Sequence, residues 1–246
     1  MGKALSETND LSALRLLDRQ RSHVLFVLSE PESDSNSEFL TWYQGPYRGA
    51  VLGCAGVLGG RHYEQHDVDI TQGRFPRLPF GYLGIYELSL DGSQGARELI
   101  ERIAALHREE SSARVPATWL YYPVCEKVGR TPSKTPSMLT IAFANARPGE
   151  EALFREWYAT RHIRHALNIP ALVSGQCFQR TQFQESGAYE ALFDTIAVYE
   201  QEGPPESIIR SFASLPAGTL EFPSLDVDPL RFSEWVYRPV RDGSQS

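Results

Sequence analysis

Cysteine is scarce in this sequence, and the cysteines present stand apart. The 246 residues hold three, Cys54, Cys125 and Cys177. An odd number without paired spacing argues against a disulfide framework, and no zinc-ligand spacing is present, so no metal site is expected. Long apolar runs are also missing: no stretch nears the ~18 residues that span a bilayer. Basic runs are missing too. Lys plus Arg number 24 against 31 Asp plus Glu, for a net charge of -7. No partnership with nucleic acid or a membrane surface is therefore expected. The phosphate loop, the G-x-S-x-G nucleophile elbow and the dinucleotide fingerprint are all absent. The glycine-rich "GCAGVLGG" lies between a helix and a strand signal, the wrong context for cradling phosphate. The opening "MGKALSETNDLSALRLLDRQ" is polar and mixed in charge, unlike a secretory leader, so a cytoplasmic home is expected.

What the sequence does have is enough apolar matter for a core, with 41% hydrophobic and 22% charged residues. It also repeats itself. "EFLTWYQGPYRGAVLGCAGVLGGRHYEQ" (38–65) lines up without a gap on "LFREWYATRHIRHALNIPALVSGQCFQR" (153–180), 115 positions on. Trp42-Tyr43 falls on Trp157-Tyr158. Further along, "LGIYEL" parallels "IAVYEQ", "LIERIAAL" parallels "IIRSFASL", and "WLYYPV" parallels "WVYRPV". Four matches in one order indicate a tandem duplication, and two copies are too few for a solenoid.

Each copy reads as strand, helix, two strands, helix, strand. "HVLFVLSE" and "FGYLGIYELSL" carry the β-branched and aromatic content of strands, and "GARELIERIAALHREE" has helical spacing. The expected fold class is α+β. Two ferredoxin-like βαββαβ repeats would pack their sheets face to face as a pseudo-dimeric α+β barrel, with an added N-terminal helix striped by Leu11, Leu14 and Leu17. The expected segments are an N-terminal extension over 1–21, repeats over 22–128 and 137–246, and a proline-bearing linker over 129–136.

"FREWYATRHIRHALNIPALVSGQCFQR" resembles the first helix and second strand of EthD-like proteins in the dimeric α+β barrel superfamily. The likeness rests on Trp157, Tyr158 and His162 in a W-Y-x-x-x-H pattern, followed by Pro170 before the strand. It extends over both copies. The resemblance implies a barrel enclosing a small-molecule site. Relatives include cofactor-free monooxygenases, polyketide cyclases and dehydratases, lactone isomerases and haem enzymes. The first copy departs from the pattern, with Tyr47 at the place of His162, Pro46 at that of Arg161 and Ala50 at that of His165.

Straight helical spacing from Phe154 puts Trp157, Tyr158, Arg161, His162 and His165 on one face, with Ile163 and Arg164 opposite. His162, Tyr158 and His165 are the candidate catalytic residues, with His162 as general acid or base. Trp42, Tyr43, Tyr47, Arg61, Tyr63, Trp157 and Arg161 are the candidate substrate-binding set. Alternation along "RHYEQH" turns Arg61 and Tyr63 toward the barrel, where they suit an anionic or phenolic group, and His62 outward. This kit points to a cofactor-independent lyase or dehydratase acting on an aromatic or polyketide-like small molecule. The alternatives are a cofactor-free monooxygenase and a non-catalytic binding barrel. No cofactor is expected. A haem, held by His162 or His165, is the alternative. Dimerisation of the chain through its sheet edges stays open.

Overall fold

The computed structural model describes residues 21–31, 36–73, 75, 77–109, 117–133, 137–184, 192–214 and 232–240. The segment expected to form the N-terminal helix lies outside them. Among the described residues nine strands form, in chain order β1 (His23–Ser29), β2 (Val57–Gln65), β3 (Tyr82–Leu88), β4 (Ala117–Pro123), β5 (Val128–Gly129), β6 (Met138–Ala144), β7 (Leu172–Arg180), β8 (Thr195–Gln201) and β9 (Phe232–Pro239). They are hydrogen-bonded in the order β4-β1-β3-β2-β9-β6-β8-β7-β5, and β4 also pairs with β7. All these pairings are antiparallel.

That last pairing corrects the expected architecture. In place of two ferredoxin-like βαββαβ repeats with separate sheets face to face, one continuous antiparallel sheet closes into an eight-stranded barrel, with β5 as an extra strand. The β1–β4 and β6–β9 arcs meet edge to edge at two joins. Each join is short. Tyr63, Glu64 and Gln65 pair with Pro239, Arg238 and Tyr237 at one, and Tyr121, Tyr122 and Pro123 pair with Arg180, Gln179 and Phe178 at the other. The physical reason is the sheet edge. Sheets packed only by their faces would leave rows of unpaired N–H and C=O groups, and closure satisfies them.

Alternation decides what fills the barrel. Phe26, Trp119, Tyr121, Phe143, Phe178, Trp235 and Tyr237 lie inside with aliphatic neighbours from both arcs. Trp119 meets Phe143 at 6.2 Å and Phe26 meets Phe178 at 6.0 Å, both edge-on, tying the arcs together across the lumen. The opposite strand face is covered, among the described residues, by four helical segments. A run of α1 (Asn36–Trp42), a π turn (Tyr43–Tyr47) and α2 (Arg48–Leu52), together with α3 (Gly92–Glu109), packs on the first arc. The second arc is covered by α4 (Glu151–Trp157), a π turn (Tyr158–His162), α5 (Ile163–Ala166) and α6 (Glu206–Ser214). The aromatic residues therefore divide between the lumen and two seams where helices meet the barrel wall.

Both seams contain a π turn at the same place in the aligned sequence. Pro46 lacks an N–H and sits in the first. The second has Arg161 at that position, so proline is not the cause. A π turn inserts an extra residue into the helical ladder, which rotates everything after it. Phe154, Tyr158, His162, Ile163 and Ala166 are buried, while Arg161, Arg164 and His165 are exposed. Ile163, expected on the outer side, is turned inward by this shift.

Candidate active site at the helix–barrel seams

The two seams are built on the same device. Gly60 pairs with Tyr86 across β2 and β3, and Gly175 pairs with Tyr199 across β7 and β8. In each case the tyrosine ring lies flat over the glycine. A Cβ at Gly175 would fall 2.6 Å from the Tyr199 ring, and one at Gly60 would collide with the Tyr86 ring. These glycines are required by close approach, and the approach brings a tyrosine hydroxyl under each helical run.

In the second seam, His162 is 5% exposed and held between two rings. Its centroid lies 4.6 Å from that of Trp157 and 4.5 Å from that of Tyr158. Burial, and secondarily the charge of His165, lowers the His162 pKa to about 3, so the imidazole is neutral at physiological pH. Tyr158 and Tyr199 are fully enclosed and lie within electrostatic reach of each other, and burial pushes both phenols well above their usual value. The Tyr199 hydroxyl is directed at Tyr158, in a contact that falls short of a well-formed hydrogen bond. Glu234, on β9, turns to this side, because Trp235 and Tyr237 occupy the inner positions. Its carboxyl feels both phenols, and burial raises its pKa to about 7. A neutral base and a proton-bearing acid thus flank one tyrosine pair, the pattern by which a buried site separates its acid from its base.

The first seam contains two imidazole–phenol pairs. His62 Nε2 lies 2.6 Å from Tyr86 Oη, and the Tyr43 ring stacks on His62 at 4.0 Å. Tyr47 Oη lies 3.0 Å from His107 Nε2. Burial first, and the Arg48 charge second, lowers the His62 pKa to about 3. Ser29 lies beside the Tyr43 hydroxyl without a well-formed hydrogen bond.

The sequence-derived candidates therefore separate into four places. Trp157, Tyr158 and His162 come together in the second seam. Trp42, Tyr43 and Tyr47 come together in the first. Tyr63 lies inside the barrel and Arg61 shares its face. They lie near a buried polar end where Arg21 bonds Glu87 at 2.6 Å and Lys127 bonds Glu200 at 2.9 Å. Arg161 and His165 face solvent. Two features of the seams escaped sequence reasoning. Glu234 is a lone acid in the aromatic strand "FSEWVYRP", and its register marks it as helix-facing. The His62–Tyr86 pair was legible only as an outward histidine.

A haem does not fit these residues. An axial imidazole must face an open slot, but the His162 ring is wedged between two aromatic side chains and His165 is exposed. Among the described residues, no three His, Cys, Asp or Glu side chains are grouped to hold a metal ion. Nor is any helix there long and apolar enough to cross a membrane.

No family model matches the chain, and no curated protein sequence does. Solved structures do share its fold. A protein described as anthrone oxidase-like aligns over 92% of this chain and 93% of its own, with a TM-score of 0.55 and 8% identity. A candidate monooxygenase from Fusobacterium nucleatum subsp. nucleatum aligns over 91% and 94%, at 0.52 and 9%. A mutant chlorite dismutase from Candidatus Nitrospira defluvii aligns over 92% and 94%, at 0.51 and 10%. At such identities the likeness shows a shared fold and nothing finer.

Proposed function

We propose that this chain is an EthD-like enzyme that arose by tandem duplication, with its chemistry in the second seam. The reaction is cofactor-independent acid/base catalysis on an aromatic, phenolic or polyketide-like small molecule, most simply a dehydration. His162 takes a proton from the substrate. Glu234 donates one to the departing hydroxyl, which leaves as water. Tyr158 and Tyr199 hold the phenolic or carbonyl oxygen, and Trp157, half-buried, forms the apolar wall. Arg61 and Tyr63 are proposed to tune the barrel side and not to touch the reacting atoms. The observation that carries this reading is the neutral imidazole and the high-pKa carboxyl beside one buried tyrosine pair.

The duplication reading is supported by the matched π turns and by the glycine–tyrosine device in both arcs. A second reading, a cofactor-free monooxygenase, draws support from the oxidative names of two fold neighbours. It begins with the same proton abstraction. Purified protein incubated with hydroxylated aromatic and polyketide-like compounds separates the two. Loss of water without oxygen uptake supports the lyase, and stoichiometric oxygen uptake supports the oxygenase. His162→Ala is expected to slow turnover roughly 10²–10⁴-fold. Unchanged turnover in that variant sinks the site assignment. The rate should also fall as pH rises past about 7, when Glu234 loses its proton.

A further inference from the structure

Two of the three cysteines meet at the join that closes the barrel. Cys125 lies two residues beyond Pro123, the last residue of β4, and Cys177 lies on β7. The strands register Pro123 against Phe178, Val124 N–H donates to Cys177 O at 3.0 Å, and Gln176 Nε2 donates to Cys125 O at 2.8 Å. The Cys125 thiol itself engages the Cys177 backbone. Both side chains pack in the apolar cluster under α4 and α5. Both are free thiols, Cys125 half-buried and Cys177 fully buried. The ladder sets Val124 opposite Cys177, and the chain leaves the strand at that point, so Cys125 turns back onto Cys177 and the two thiols lie within reach of each other.

We propose that Cys125 and Cys177 form an oxidant-responsive dithiol that a hydroperoxide converts to a disulfide, stapling the β4–β7 join. Cys125, the accessible thiol, reacts first. Its sulfur attacks a peroxide oxygen, the O–O bond breaks, and an alcohol (water, from hydrogen peroxide) leaves behind a sulfenic acid. The Cys177 sulfur then attacks that sulfenic sulfur. The S–S bond forms, and the hydroxyl departs with the thiol proton as water. Two thiols are oxidised, and one peroxide is reduced to alcohol and water. Burial raises both thiol pKa values, with the hydrogen bond to the Cys177 backbone and then Arg164 partly offsetting this at Cys125, so the first step is slow and suits sustained exposure. The inference holds whether or not the seam is catalytic.

Cys54 is the internal control. It is half-buried and its thiol is likewise raised by burial, but it packs in the cluster on the first arc, away from the pair. The full chain is treated with excess hydrogen peroxide and mapped by mass spectrometry without reduction. The expected result is one intramolecular Cys125–Cys177 linked peptide, reversed by dithiothreitol, with Tm raised by several degrees. Cys54→Ser should leave the link intact, and Cys125→Ser should abolish it while circular dichroism shows the fold retained. Cys177→Ala provides the second deletion, and if it fails to fold, Cys125→Ser decides. Sulfinic acid at Cys125 beside a reduced Cys177 overturns the proposal. So do cross-links that run through Cys54, and a linked form with unchanged Tm removes the stapling.

Discussion

The two helix–barrel seams share a scaffold and differ in where the imidazole stands. In the first, His62 comes from the strand and pairs with Gly84. The matching positions in the second are Cys177 and Ala197. The second takes its histidine from the helix, at His162, where the first has Tyr47. A strand-borne imidazole reaches the tyrosine over the glycine and closes a hydrogen bond at 2.6 Å. A helix-borne imidazole leaves the equivalent tyrosine without a well-formed one. One exchange of position thus moves the imidazole from the tyrosine over the glycine to the tyrosine on the helix, which leaves Tyr199 facing Tyr158 instead. Glu234 then adds an acid on the second side alone.

The comparison can be broken from its foundation upward. Gly60→Ala and Gly175→Ala each drive a methyl group into a fully buried ring. Both are expected to cost about 1–3 kcal/mol, the first more than the second because the Tyr86 ring lies closer. Urea midpoints measure this, and an innocuous Gly175→Ala would mean that Tyr199 is not held as Tyr86 is. Tyr86→Phe strips His62 Nε2 of its partner and should cost about 1–2 kcal/mol. Tyr199→Phe should cost less, under about 1 kcal/mol, because its contact with the Tyr158 hydroxyl falls short of a well-formed bond. A reversed order of those two in thermal unfolding would contradict the contrast between closed and open pairs.

The weakest test is pH. Both seams bury a histidine with a pKa near 3, so both favour the neutral form. The unfolded chain takes up those protons from about pH 6.5 downward, and stability is lost as pH falls from there toward 3. Glu234 acts with the opposite slope and in the second seam only. Its folded pKa of about 7 lies above the unfolded 4.5, so its contribution is present below pH 4.5 and is lost as pH rises toward 7. Glu234→Gln should remove that decline, an effect of about 1 kcal/mol for a residue that keeps some exposure. An unaltered stability profile between pH 4.5 and 7 would count against the raised carboxyl.

Much of the element content was readable, because alternation and helical spacing are local. The strands at 23–29 and 82–88 and the helix at 92–109 fall where "HVLFVLSE", "FGYLGIYELSL" and "GARELIERIAALHREE" place them. The mode of assembly was not. Whether two arcs pack by faces or join by edges depends on ladders between residues as distant as Tyr63 and Pro239, and no local pattern encodes those. The candidate site was half-readable for a similar reason. Trp157, Tyr158 and His162 precede or lie within the π turn and hold their expected face. Arg161, Ile163 and His165 were misdirected by assuming 3.6 residues per turn through a stretch where the ladder widens. Glu234 was lost because its meaning depends on which side of β9 faces the helices.

The short joins have a dynamic consequence. Within each arc, β1 with β3 and β6 with β8 share seven registered residues, whereas each join has three. Fluctuations that expose backbone amides need the least free energy where the fewest bonds must part together. Hydrogen exchange should therefore run along the joins first, with Glu64, Arg238, Tyr122 and Gln179 losing protection while Phe26 and Ile141 keep theirs. The barrel would breathe as two stiff half-shells, each carrying its own helices and its own seam intact.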